Sequence, residues 1–316
     1  MEVLRFSAGA VAPLIFIVGL GWFMRFRGIV GESFIAPLNK SVFNVFFPIM
    51  LFDNIYRSNF QEEFDLLLVG MVLVFVLIIA AIAFFVFPLV TKDKGHAIIN
   101  LTAAFRSNFI IFAFAILPIM YGPGGARLAA IIMPFTTVTF NIVGIALMRH
   151  FSPNKQQNST SSTAREIATN PLIISCIIAA ILAIFEIGVR FPEVLSTAIG
   201  SVGGMAAPLG LILMGTQLKS NGFRDNLGDV LQGCFVRLVV VPVMGVIIAV
   251  NLGFMGIELA TLLLLFGGPP PTVLVIKARN YNIAPEYTAQ FVAAATVMSI
   301  GTLFVGISIL RWMELI

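Results

Sequence analysis

Gly267-Gly268-Pro269-Pro270-Pro271-Thr272 falls inside an otherwise apolar stretch running from 257 to 277. Three consecutive prolines remove three backbone N–H donors, and their rings clash with the carbonyls of the preceding turn, so no α-helix continues through them. At 1.5 Å per residue the break lies about 18 Å along the stretch. A second apolar stretch, 97 to 119, is interrupted at a similar depth by Arg106-Ser107-Asn108, between Phe105 and Phe109. Arg106 is about 15 Å in by the same measure. Such breaks have a meaning that depends on the solvent around them, and composition decides the solvent.

Of 316 residues, 59% are hydrophobic, and 19 Lys and Arg with 15 Asp and Glu are the only charged side chains, giving a mean hydropathy of +1.02. A soluble domain carries roughly a quarter charged residues. The composition therefore excludes a soluble globular protein, and disordered, collagen-like and disulfide-scaffold classes with it. A lipid-spanning helix needs about 20 mostly apolar residues, so a chain of this length holds roughly ten with short loops. The expected spans are 7–25, 34–56, 66–90, 97–119 and 126–148, then 171–189, 195–217, 227–251, 257–277 and 287–312. Arg5 and the run through Ala10-Val11-Ala12 could suggest a leader, but Pro13 follows and the run continues to Phe23, which reads as a first span.

The stretch 152–169, rich in Ser, Thr, Asn and Gln, separates the two sets of spans, so the organisation expected is a first five-helix repeat (1–150), a cytoplasmic linker (151–169) and a second repeat (170–316). Eleven basic residues fall in the loops on the linker side: Arg25, Arg27, Lys92, Lys94, Arg149, Lys155, Arg165, Lys219, Arg224, Lys277 and Arg279. Five fall on the other: Arg5, Arg57, Arg127, Arg190 and Arg311. By the positive-inside rule the linker is cytoplasmic and both termini are outside a cell membrane. Pro13-Leu14-Ile15 and Pro171-Leu172-Ile173 open the two halves alike, and Ser58-Asn59-Phe60 returns as Ser220-Asn221-Gly222-Phe223. Arg106 follows Phe60, and Pro269 follows Phe223, at the same distance. With an odd number of spans in each half, the two repeats are inverted.

Non-helical backbone at membrane depth is tolerated only where protein or a water-filled cavity surrounds it. An arginine there costs about 2.5 to 3.5 kcal/mol on insertion scales, which makes Arg106 a functional candidate. Two broken spans from inverted halves cross near the midplane and aim half-helix N-termini, with their free N–H groups, at one point suited to an anion. The candidate substrate site is thus Arg106, Ser107 and Asn108 with Gly268, Pro269, Pro270, Pro271 and Thr272. Arg237 is also near mid-depth and reads equally as a substrate contact or as half of a structural pair; in the first case two cations favour a dicarboxylate. Lys40 is placed to snorkel, and Asp53, Asn54 and Gln217 to cap span ends. His96 and His150 read as surface residues, and Cys176 and Cys234 as packing. No spacing suggests a metal site or a cofactor, and nucleic acid is not an expected partner.

An enzyme of the intramembrane-protease kind would need a second aspartate beside Asp53 or a Ser/His pair in the spans, and neither is present. A channel would need a ring of carbonyls or charges, usually from oligomeric symmetry, where this chain has internal repeats and one pair of breaks. A sodium-coupled symporter similar to the bile acid carriers is the nearer rival, although no acidic residue stands at the crossing to hold the ion.

Three segments carry a family resemblance: Asn108 through Pro118-Ile119-Met120-Tyr121-Gly122, the stretch 208–218 from Pro208-Leu209-Gly210 to Gly215-Thr216-Gln217-Leu218, and Pro269 through Lys277-Ala278-Arg279-Asn280-Tyr281-Asn282 to Pro285-Glu286. Together they resemble the auxin efflux carrier family nearly end to end, and the short linker resembles its bacterial members. The resemblance implies an all-α membrane protein of ten transmembrane helices in two inverted five-helix repeats, with crossover helices four and nine broken. It also implies a homodimer in which spans one, two, six and seven form the scaffold and the other six move as an elevator. Small organic anions would be the substrates, malate or malonate among them in bacterial relatives and indole-acetate in plants. Asn108 stands where the family holds the carboxylate. The chain departs from the plant pattern in carrying Pro270 after the span-nine proline and in having Arg106 two positions before Asn108.

Overall fold

The computed structural model describes residues 1–151, 165, 168–185, 191–218 and 226–316. Among these residues the fold is all-helical, with no strand. Most of the linker lies outside the described residues, as do Arg190, Lys219, Arg224 and the Ser220-Asn221-Gly222-Phe223 motif. The first half comprises α1 (Glu2–Phe26), α2 (Glu32–Ser41), α3 (Phe47–Tyr56), the single turn α4 (Phe60–Glu63), α5 (Leu66–Val90), α6 (Lys94–Phe105), α7 (Phe109–Tyr121) and α8 (Arg127–Phe151). The second comprises α9 (Pro171–Ile184), α10 (Glu193–Gly204), α11 (Ala206–Thr216), α12 (Leu227–Phe235), α13 (Val241–Asn251), α14 (Gly256–Gly267), α15 (Val273–Tyr281) and α16 (Pro285–Trp312).

Among the described residues eight helical segments are long and apolar enough to cross a membrane, and the two other expected spans contain the shorter apolar helices Pro171–Ile184 and Gly256–Gly267. The outer surface is apolar, with Phe16, Phe85 and Leu89 among the exposed side chains, as a lipid solvent requires. The chain is a multi-pass membrane protein. Several helices outrun the expected spans by a turn because charged residues such as Glu2 and Lys94 are tolerated where a helix leaves the hydrocarbon.

Both expected breaks are present. α6 stops at Phe105, Arg106 is extended (φ −99°, ψ 124°), and α7 begins at Phe109. α14 stops at Gly267, Gly268 is extended (φ −66°, ψ 148°), and α15 begins after the prolines. The two interruptions touch through their backbones, for the Asn108 N–H donates to the Pro269 carbonyl at 2.7 Å.

Two further irregularities have a common cause. The segments 42–46 and 236–240 are π-helical, closed by Phe47 N–H to the Val42 carbonyl and by Val241 N–H to the Val236 carbonyl. Each is followed, one residue on, by a proline, Pro48 and Pro242. A proline ring collides with the carbonyl four residues back, here those of Asn44 and Leu238, and the wider π turn opens the helix at that point.

The helices pack in two groups. α1 lies along α11, and α9 and α10 lie along α3. The second group joins α5, α6, α7, α8 and α12 to α16, with the crossing of α6/α7 and α14/α15 inside it. In the first group backbones meet directly: a Cβ on Gly21 would run into the Ile212 carbonyl, and one on Gly215 into the Val18 carbonyl. Close helix approach through small residues replaces the hydrophobic drive that lipid does not supply. Gly215→Ala must push α1 away at a cost of about 1 to 3 kcal/mol, whereas Gly19→Ala meets nothing within 4 Å and removes a flexible residue from a helix. Thermal unfolding in detergent should show a lowered midpoint for Gly215→Ala and an unchanged or raised one for Gly19→Ala.

Candidate functional site

A cavity of about 530 Å³ opens beside the crossing on the side of Thr169 and Asn170. Its walls come from α2 and the π turn after it (Asn39, Lys40, Asn44), from the span-four break (Arg106, Ser107, Asn108), from α8 (Thr137, Asn141) and from the start of α15 (Pro271, Thr272, Lys277). None of the described residues lining it is Asp or Glu. On the opposite side of the protein a second cavity of about 610 Å³ runs between the two helix groups past Asp53, Arg57 and Arg127. Helix α7 separates them: Phe109 and Ile110 line the first, Phe114 and Pro118 the second.

Five of the residues expected at the site line the first cavity: Arg106, Ser107, Asn108, Pro271 and Thr272. Gly268, Pro269 and Pro270 are buried behind it, where they hold the crossing together. Gly268 is needed for that, since a Cβ there would stand 2.7 Å from Ser107 Oγ and 2.9 Å from the Leu264 carbonyl. Gly144 on α8 likewise clears room for Arg106, whose Nη1 would be 2.9 Å from an added Cβ.

Arg237 does not line the cavity. It is 1% exposed, and it donates from Nε to the Gly268 carbonyl (2.9 Å), from Nη1 to the Ala104 carbonyl (3.0 Å) and from Nη2 to the Leu265 carbonyl (3.0 Å). Its partners are backbone carbonyls in place of a carboxylate.

Lys40 and Lys277 are the other cations lining the cavity, and Lys277 is one that the sequence spacing assigned to a loop. The prolines delay the helix, so α15 starts late and Lys277 lies in its second turn, 8% exposed and turned inward. Its Nζ donates to Asn141 Oδ1 at 3.1 Å, and Arg106 Nη2 donates to the same oxygen at 3.0 Å. Asn141, a polar residue midway along α8, was missed because an uncharged amide in an apolar helix carries little signal. Ser107 Oγ is buried with no hydrogen-bond partner among the described residues.

Two other residues are corrected. His96 is not a plain surface residue: Nδ1 is 2.7 Å from Asp229 Oδ2, and its ring stacks on Tyr287 at 3.8 Å. Tyr287 in turn donates to Asn100 Oδ1 at 2.7 Å, so the N-terminal ends of α6, α12 and α16 are tied together by residues far apart in sequence. Asp53 is paired with Arg57 at 2.7 Å, and Arg57 also reaches the Ser196 hydroxyl. Both cysteines are free and buried, as packing residues should be.

A multi-pass helical bundle with a polar, cationic cavity at the meeting of two broken helices is the architecture of a membrane transporter. The family model described as "Membrane transport protein" matches residues 6–307, and the chain belongs to that family, the auxin efflux carriers. Its relatives are transporters and not enzymes. An uncharacterized transporter of Methanothermobacter thermautotrophicus is similar over 94% of this chain and 96% of its own, at 22% identity. The uncharacterized transporter YfdV of Escherichia coli K12 is 23% identical over 95% of each chain.

The shared oxygen of Asn141 makes a test that needs no substrate. Hydrogen bonds to charged groups contribute about 1.5 to 3 kcal/mol, so Asn141→Leu should lower the thermal midpoint. Asn141→Asp puts a carboxylate between two cations and should raise it. Equal midpoints for the two variants would show that Arg106 and Lys277 do not depend on this acceptor.

Proposed function

We propose that the protein is a secondary transporter of small organic anions, carboxylates and in particular dicarboxylates such as malate or malonate. The observation that carries this reading is the convergence of Arg106 and Lys277, one from each half of the chain, on Asn141 Oδ1 in a cavity beside the starts of α7 and α15. A guanidinium offers a planar fork to one carboxylate, an ammonium a point charge to another, and the two helix N-termini add positive potential. The unpartnered Ser107 hydroxyl and Asn108 complete the donors.

The ten spans form two inverted five-helix repeats, 1–150 and 170–316, joined by the linker 151–169. This reading is supported by the corresponding breaks and by the Asn108–Pro269 contact between them. Alternating access is supported by the two cavities that approach α7 from opposite sides along the seam between the helix groups. In that scheme the first group (α1, α2, α3, α9, α10, α11) is the dimer scaffold, and the second moves as an elevator with the crossing aboard. The protein sits in the cell membrane with the linker cytoplasmic and both termini outside, which makes the described state inward-facing. Lys277 leaves the loop count, and the remaining bias still favours this orientation.

Uptake of radiolabelled malonate and malate into proteoliposomes tests the reading. Arg106→Ala should abolish it, and Arg106→Lys, which keeps charge but loses the fork, should weaken apparent affinity roughly 10- to 100-fold. Unchanged affinity in folded Arg106→Ala would remove Arg106 from the site. Orientation is read by single cysteines at exposed Ile29 and Met313, the native thiols being buried. An impermeant maleimide should label Met313→Cys in intact cells and Ile29→Cys only after permeabilisation.

A further inference from the structure

We propose that Arg237 is a tethered cation that occupies, at the crossing, the place a soluble coupling ion would otherwise fill. The crossing has two chemically opposite faces. Its cavity face carries the N-terminal, positive ends of α7 and α15; the face behind carries the C-terminal, negative ends of α6 and α14, whose last carbonyls lack helical partners. In carriers with broken helices, such carbonyl clusters are where sodium or a proton is held. Here three carbonyl oxygens, Ala104 from α6 with Leu265 and Gly268 from the end of α14, converge within 3.0 Å of one guanidinium. Every nitrogen of that guanidinium donates to one of them, and the group is 1% exposed.

The guanidinium arrives from a third element, the π turn at 236–240, so it is covalently part of the bundle and cannot be exchanged for a solution ion. It holds Gly268 and hence the next residue, Pro269, whose carbonyl receives the Asn108 N–H. Arg237 therefore acts as a positioning residue: it touches backbone, and through that backbone it sets Ser107 and Asn108. The consequence is that the crossing assembles at any sodium or potassium concentration. This inference stands whether or not the cavity takes an anion, and its test uses no substrate.

The test is thermal unfolding of detergent-purified protein in sodium, potassium and choline chloride at equal ionic strength, with low-millimolar guanidinium as the probe of the emptied position. Wild type should have one midpoint in all three salts. Arg237→Ala should unfold at a lower temperature in choline and be restored, saturably, by guanidinium or sodium, with hydrogen exchange slowing in peptides around 104–108 and 265–269. A sodium-dependent midpoint in wild type would overturn the proposal. So would an Arg237→Ala protein as stable as wild type, or one that no cation restores. If Arg237→Ala gives no folded protein, Arg237→Lys and Arg237→Gln decide: recovery with Lys alone supports a required charge, and recovery with Gln refutes it.

Discussion

Backbone polar groups inside a bilayer must find partners within the protein, and at the crossing of the two broken helices this requirement shapes the local structure. Each unsatisfied group in hydrocarbon costs several kcal/mol. Two breaks multiply that cost, and the chain meets it by setting the breaks against each other and against one arginine. The Asn108 N–H uses the Pro269 carbonyl, and Arg237 uses three more carbonyls. The span-four break has no proline of its own; its backbone leaves the helix where the partner break offers an acceptor.

Charge follows from the same geometry. Opening a helix exposes a positive end and a negative end a few ångströms apart. Arg237 lies at the negative ends, an arrangement that favours both helices. Arg106 and Lys277 line the cavity onto which the positive ends of α7 and α15 open, Arg106 directly following the C-terminal end of α6. Two buried cations gathered on one amide oxygen suit a function more than stability, since an apolar pair would pack there at less cost.

The spans and the span-nine break were legible because they rest on local properties: runs of apolar residues and three prolines that no helix admits. The depth of Arg106 and Arg237 could be read, but depth says nothing about direction. Their opposite placements depend on which way each side chain leaves its helix, and Arg237 leaves from a π turn. Lys277 was misplaced because a uniform rise through 257–277 ignores the residues spent on the interruption. The Asn141–Lys277 and His96–Asp229 contacts were invisible for another reason: they join residues 136 and 133 positions apart in sequence.

The π turn before Pro242 also fixes the length of its span. A π turn is equivalent to one residue inserted in an α-helix, and one residue turns the helix by about 100°. Below the insertion, Gly233 faces Asn100 and Phe291; above it, Gly245 faces Phe266. The extra residue lets both small-residue faces meet their partners at once. A chain shortened by one position between them would be in register with α6 and α16 or with α14, but not with both. This span therefore carries a count as well as a composition: changes of residue type on its lipid side leave that count intact, and the loss of a single residue does not.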